Sequence, residues 1–170
     1  MRGGSVDAKS HSRASRRPLT PARGASDRAE NAVSSTILNI TFDCADPRAV
    51  ATFWGQLTGW PVITEPQPGY PDCAVGTPGE GRPRLYFVKV PEAKTIKNRV
   101  HLDVIPADRT QDAEIARLVG LGASVVSDGR PDVGWVVLAD PEGNEFCVEI
   151  SAAEMKAADT KAADTVEGAT

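Results

Sequence analysis

Asn39-Ile-Thr-Phe-Asp-Cys-Ala-Asp46 has a counterpart 62 residues further along, His101-Leu-Asp-Val-Ile-Pro-Ala-Asp108. Each segment ends in an aspartate seven positions after its first residue. Each is followed by a run of helical spacing, the first closing at Thr58-Gly59 and the second at Leu121-Gly122. In the first, Leu38, Ile40, Phe42 and Cys44 alternate with Asn39, Thr41 and Asp43. A period of two describes a strand with one face on a core and one polar face. Asp46-Pro47 then opens a helix, since aspartate caps the first amides and proline suits the first turn. Val50, Phe53, Trp54 and Leu57 recur at helical spacing, and Gly59 ends the run. Phe53 and Trp54 share this helix, so at least one belongs to the core.

The second copy follows the same order. Val100, Leu102 and Val104 alternate with His101, Asp103 and Ile105. Asp108 to Leu121 reads as a helix with Ile115, Leu118 and Val119 inward. Three strand candidates follow each helix, separated by Pro/Gly-rich turns. In the first half they are 61–64, the region of Cys73-Val75, and 84–90; in the second they are 123–126, 135–138 and 145–150. Asp140-Pro-Glu-Gly-Asn144 joins the last two, and backbone geometry accounts for its residue types as a tight turn. The expectation is an α+β domain of two βαβββ modules, with a shared site where they meet.

Charge divides the chain into three parts. Residues 1–34 hold seven Lys/Arg against three Asp/Glu, residues 35–150 ten against sixteen, and residues 151–170 two against four. The first part, rich in Arg, Ser, Ala and Gly, reads as a disordered basic arm. The last, with its Lys-Ala-Ala-Asp-Thr repeat at 156–160 and 161–165, reads as a low-complexity, frayed tail. The domain is therefore expected over 35–150. Its acidic balance argues against nucleic acid as a partner. No stretch approaches the length of an apolar membrane span, so no membrane partner is expected. Three scattered cysteines give no disulfide framework, which points to a reducing cytoplasm.

The spacing Asp46 to Phe53-Trp54, the Asp140–Asn144 turn, and the stretches Val90–Asp103 and Ala139–Cys147 together resemble the glyoxalase/bleomycin-resistance/extradiol-dioxygenase superfamily, also called the vicinal oxygen chelate superfamily. Within it the likeness is to the glyoxalase-like domain branch, and it covers most of residues 36–150. The resemblance implies paired modules curled into an open, barrel-like cleft. It also implies, in metal-dependent members, one ligand on the first strand and one on the last strand of each module. Carried over, these positions fall on Asn39, on one of Tyr86, Phe87 or Val88, on His101 and on Cys147. One usual ligand of four remains, and asparagine is a poor ligand for a transition metal. No metal and no cofactor are expected.

Alternation places Asn39, Thr41 and Asp43, His101 and Asp103, and Glu145, Cys147 and Glu149 on the faces turned away from the helices. The expected ligand site is formed by Asn39, Thr41, Asp43, His101, Asp103, Cys147 and Glu149, with Arg99 on the rim. Lys94, Lys97 and Asn98 accompany Arg99 as candidates for holding a carboxylate or phosphate. Tyr86 and Trp135 are candidates for stacking on a planar ligand. His101 is the candidate acid/base, oriented by Asp103 or Glu149. The function expected is metal-independent binding of a small molecule, in the manner of bleomycin-resistance proteins. The alternatives are a glyoxalase-like lyase or isomerase using His101 with a carboxylate, and an interaction module acting through a homodimer.

Overall fold

The computed structural model describes residues 35–79, 82–130 and 132–167, with side chains to residue 160. The basic arm expected over 1–34 lies outside the described residues. Two four-stranded sheets carry the domain, and they have the same internal order. The first runs β1 (Asn39–Cys44), β4 (Arg84–Lys89), β3 (Cys73–Val75), β2 (Val62–Thr64). The second runs β5 (Asp103–Val104), β8 (Glu145–Val148), β7 (Val136–Ala139), β6 (Ser124–Asp128). In both, the first strand pairs in parallel with the last and the others are antiparallel. The duplication read from the sequence is therefore a duplication of topology. No strand of one sheet pairs with the other among the described residues, so the eight strands do not close into a barrel.

Helix α1 (Pro47–Thr58) begins and ends where its residues dictate. The Asp46 carboxylate accepts from the amides of Arg48 and Ala49, and Gly59 takes the left-handed conformation at φ 70°. Val50, Ala51, Phe53 and Trp54 are all buried, a wider stripe than one sheet requires. The reason is that α1 packs on both modules. Trp54 lies 5.7 Å from Phe42 and 5.2 Å from Phe146, ring centre to ring centre, and Phe53 lies 5.9 Å from Phe146. Phe42 stacks on Phe87 at 5.3 Å. The two sheets thus share one aromatic core, completed by Leu118, Leu138, Val136 and Val148.

The structure departs from expectation in three places, two in the second module and one after it. Helix α2 spans Gln111–Gly120 and is capped by Thr110, whose hydroxyl accepts from the Ala113 amide. Asp108 instead lies outside the helix, engaged by Arg109. Val119, expected inward, is exposed, because the buried face of α2 is Gln111, Glu114 and Leu118. Gln111 reaches through to the Gly134 and Val148 carbonyls at 2.9 Å each. Strand β5 is only two residues long, and Val100, expected on the core face, is 71% exposed. Finally, Ala152–Glu167 forms a third helix, α3, where a frayed tail was expected. Its first turn is held by Glu154, which accepts from Ser151 and from the Gln111 amide.

Candidate functional site

Strand pairing places Asn39 beside Arg84 and Thr41 beside Tyr86 on the polar face of the first sheet. Asn39 Oδ1 accepts from Arg84 Nε at 3.0 Å. The Arg84 guanidinium lies over the Tyr86 ring at 5.7 Å, and the Tyr86 hydroxyl donates to Asp72 Oδ2 at 3.4 Å. On the second sheet Asp103 is the direct partner of Cys147. Burial, then the adjoining Asp103 carboxylate and Glu149, pushes the Cys147 thiol up to about 11, against a smaller opposing effect of Lys97. A thiol held protonated in this way is a poor nucleophile near neutrality. His101 is exposed and has no side-chain partner among the described residues.

Two clefts flank the place where the modules meet, and Ile40 and Leu102 line both. The larger has a volume of about 630 Å³. The end of α1, the start of β4 and the β5–α2 connection form its walls. Leu57, Trp60, Leu85, Val104 and Ile105 make those walls apolar. Its polar groups are Asp103 and a linked cluster, in which Glu114 accepts from Arg117 Nε at 2.8 Å and pairs with Arg109 at 3.3 Å. Arg117 also donates to the Gln56 carbonyl at 3.2 Å, tying α2 to α1 across the cleft floor. Trp60 is held in place from outside by the Arg82 guanidinium, 4.4 Å from its ring centre. Gly76 makes room for it, since a Cβ there would meet Trp60 Cε3 at 3.2 Å.

The smaller cleft, about 560 Å³, lies between the end of β1 and the segment joining the modules. Thr41, Asp43, Lys94, Lys97, Asn98 and Arg99 line it. Lys94 is already committed to Glu145 at 3.0 Å, and the Asn98 amide donates to the same carboxylate. Burial pushes the Glu145 carboxyl up, but the Asn98 amide and Lys94 outweigh it and hold it below the usual range. Of the cationic group read from the sequence, Lys97 and Arg99 are the members without an ion pair among the described residues.

The residues expected to form one site are therefore distributed. Thr41, Asp43 and Arg99 line the smaller cleft, and Asp103 lines the larger. Asn39, His101, Cys147 and Glu149 line neither, though Cys147 adjoins Asp103. Trp135 is 37% exposed and Tyr86 lies beneath Arg84, and neither lines a cleft. Trp60, Arg109, Glu114 and Arg117 were not among the residues read as functional. Their role comes from tertiary placement, and the one signal available was an aromatic directly after the helix-ending Gly59.

The family's metal positions do not fit a divalent ion here. Asn39 spends its oxygen on Arg84, which places a guanidinium where a second cation would have to sit. Burial and the Asp103 carboxylate favour the protonated Cys147 thiol, and a metal would have to displace that proton. No cluster of three or more His, Cys, Asp or Glu side chains suited to a metal occurs among the described residues.

The comparisons with known proteins agree with this topology. A hypothetical protein from S. aureus matches with a TM-score of 0.54 at 14% identity, over 72% of this chain and 98% of that one. The fosfomycin resistance protein FosX from Mesorhizobium loti matches with a TM-score of 0.54 at 13% identity, over 74% and 99%. The antibiotic-binding protein TnmS3 from Streptomyces sp. CB03234 matches at 0.49 and 19% identity, over 68% and 94%. At these identities the first two show the fold. No curated protein matches the sequence. The glyoxalase-like domain model matches residues 39–149, almost the whole of both modules, and the chain belongs to that family.

Proposed function

We propose that this protein binds a small, largely apolar organic molecule without a metal, in the larger cleft between the end of α1 and the β5–α2 connection. The observation that carries the reading is the cleft itself: about 630 Å³ with apolar walls and a few converging charged groups. Small-molecule sites commonly have volumes of roughly 300–1,000 Å³ and that same balance of surfaces. Trp60 supplies an aromatic wall, while Asp103 and the Arg109–Glu114–Arg117 cluster supply orientation. The donor set at the family's metal positions supports metal-independent binding.

A melting-shift screen of small aromatic and aliphatic compounds, with elemental analysis of the purified protein, tests the reading. A stabilising compound should lose roughly tenfold or more in affinity with Trp60→Ala, given what aromatic side chains contribute to binding. A metal bound at about one per chain and lost with His101→Ala would overturn the metal-independent reading. A ligand indifferent to Trp60→Ala would move the site elsewhere.

A homodimer is a second part of this reading. Each of β1 and β5 has one edge without a strand partner among the described residues. Exposed Ile37 and Leu38 precede β1, while exposed Val100 and Ile105 flank β5. Apolar side chains beside open strand edges favour association. Sedimentation equilibrium at micromolar concentration decides between monomer and dimer. The three free cysteines support a reducing compartment such as the cytoplasm.

A further inference from the structure

We propose that the polar face of the first sheet carries a site for a small oxyanion, a carboxylate or a phosphate-type group, centred on the Arg84 guanidinium. Arg84 is half-buried, and no ion pair among the described residues uses it. It is nevertheless held from two sides. Asn39 Oδ1 fixes its Nε at 3.0 Å, and the Tyr86 ring lies beneath its Cζ at 5.7 Å. Tyr86 is itself anchored by its hydroxyl to the buried Asp72. A guanidinium fixed through Nε and one face keeps its two terminal nitrogens free, and no acceptor for either is found among the described residues.

Those two nitrogens are the fork that pairs with a carboxylate or phosphate through parallel hydrogen bonds. Holding the fork in advance lowers the conformational cost of binding. The neighbours add donors. Asn39, having turned its oxygen to Arg84, offers its Nδ2 hydrogens, and the exposed Thr41 hydroxyl stands two residues along the same face. Asp43 is next on that face and sets its limit, since a second negative charge is disfavoured beside it. The site is independent of the proposed apolar cleft. That cleft takes Ile40, Pro83 and Leu85, the neighbours of Asn39 and Arg84 that alternate to the other face.

The test is an NMR titration of the full-length ¹⁵N-labelled protein with inorganic phosphate and, separately, with acetate, at constant ionic strength in chloride. The Arg84 Nε–H signal is assigned by its loss in Arg84→Gln. That signal should shift saturably with phosphate or acetate. Affinity, read in wild type and variants alike from the backbone amides of residues 39–43, should fall roughly tenfold or more in Arg84→Gln, the scale of a lost charge-assisted pair. Arg84→Lys, which keeps the charge without the fork, should fall between. The variant carrying Lys97→Gln and Arg99→Gln should lose less affinity than Arg84→Gln, because those cations line the smaller cleft beside Thr41 and Asp43 and take no part in the Arg84 fork. Thermal melts of each variant establish that it is folded. The proposal is overturned if chloride alone reproduces the shift, or if Arg84→Gln binds equally well. It is also overturned if the Arg84 signal responds to protein concentration instead of phosphate, since a second copy then supplies the carboxylate. A ligand of the apolar cleft that ignores Arg84→Gln leaves this inference standing, and failure of phosphate to bind leaves the cleft standing.

Discussion

Trp54 Nε1 donates to Asp140 Oδ2 at 3.1 Å, joining the helix of the first module to the last turn of the second across 86 residues. Both groups are buried. The other oxygen of Asp140 accepts from the amides of Glu142 and Asn144, and both oxygens accept from the Asn144 side chain. The Asp-Pro-Glu-Gly-Asn turn is thus a clasp between modules as well as a hairpin. Trp54→Phe removes the donor and keeps most of the packing, and should cost about 1–3 kcal/mol. Asp140→Ala strands the indole and two turn amides, and should cost more, on the order of 3 kcal/mol or above. Urea melts of both variants provide the measurement, and equal costs would mean that the turn bonds contribute little.

Glu142 does a related job from the surface. Its two carboxylate oxygens accept from the amides of Ala45 and Asp46 at 2.6 Å each, just ahead of the α1 cap. Glu142→Ala should destabilise by about 1–2 kcal/mol, and Glu142→Gln by less, since an amide retains one acceptor oxygen. Asp46→Ala should cost about 0.5–2 kcal/mol as a lost helix cap. Because Glu142 holds the backbone of the residue that caps the helix, the two losses should not add. A double-mutant cycle showing strict additivity would mean that the two anchors act independently.

Cys147 should be sluggish toward alkylating agents. Burial and the Asp103 carboxylate raise its thiol from the ordinary 9.0 to about 11. Two units correspond to roughly a hundredfold smaller thiolate fraction near neutral pH. Asp103→Asn removes the nearest charge and should speed iodoacetamide labelling of Cys147, read by peptide mass spectrometry. The stability consequence has a definite sign. The folded thiol holds its proton more tightly than the unfolded one, so its contribution is complete below pH 9 and falls away between 9 and about 11. Cys44, pushed by burial and then by Glu142 and Asp140 to about 12, extends the same decline upward. Cys147→Ser should remove the lower part of that window. Labelling of native Cys147 as fast as a free thiol at pH 7.5 would contradict the reading.

What the sequence disclosed depended on whether a residue's role was local. The limits of α1 were legible because Asp46, Pro47 and Gly59 act on their own backbone neighbours. The duplication of modules was legible because the strand–helix–strand pattern repeats. Asp108 misled, since the repeat made it look like Asp46, whereas Thr110 lies closer to the first amides of α2. Val100 fits the alternation and Val119 the helical spacing, yet both are exposed: Val100 precedes the two-residue β5, and α2 turns Gln111, Glu114 and Leu118 inward. The larger cleft was not legible: Trp60, Glu114 and Arg117 come from separate segments, and only the packing of the two modules brings them together.

Helix α3 shows the limit of reading from an apolar face. Residues 155–160 are exposed, so no burial explains it, but Ala, Lys, Glu and Met favour helix intrinsically. The nucleus is Ser151-Ala-Ala-Glu154, a reciprocal cap in which Ser151 Oγ accepts from the Glu154 amide and Glu154 accepts from Ser151. Glu154 also accepts from the Gln111 amide at 3.0 Å, the first residue of α2. The tail therefore divides functionally near residue 155. A chain ending at residue 157 should melt like the full protein, whereas one ending at 150 lacks Glu154 and should melt lower. Glu154→Ala in the full chain should reproduce most of that loss. Its carboxyl is held below the usual range by Ser151 and the Gln111 amide, so this contribution is present above the unfolded carboxylate pKa and is lost as the pH falls through the lower folded value. Urea melts at pH 7 and at pH 3 should therefore show a smaller gap between wild type and Glu154→Ala at the acid end. An unchanged gap would mean that the packing of α3, not the Glu154 carboxylate, holds the junction.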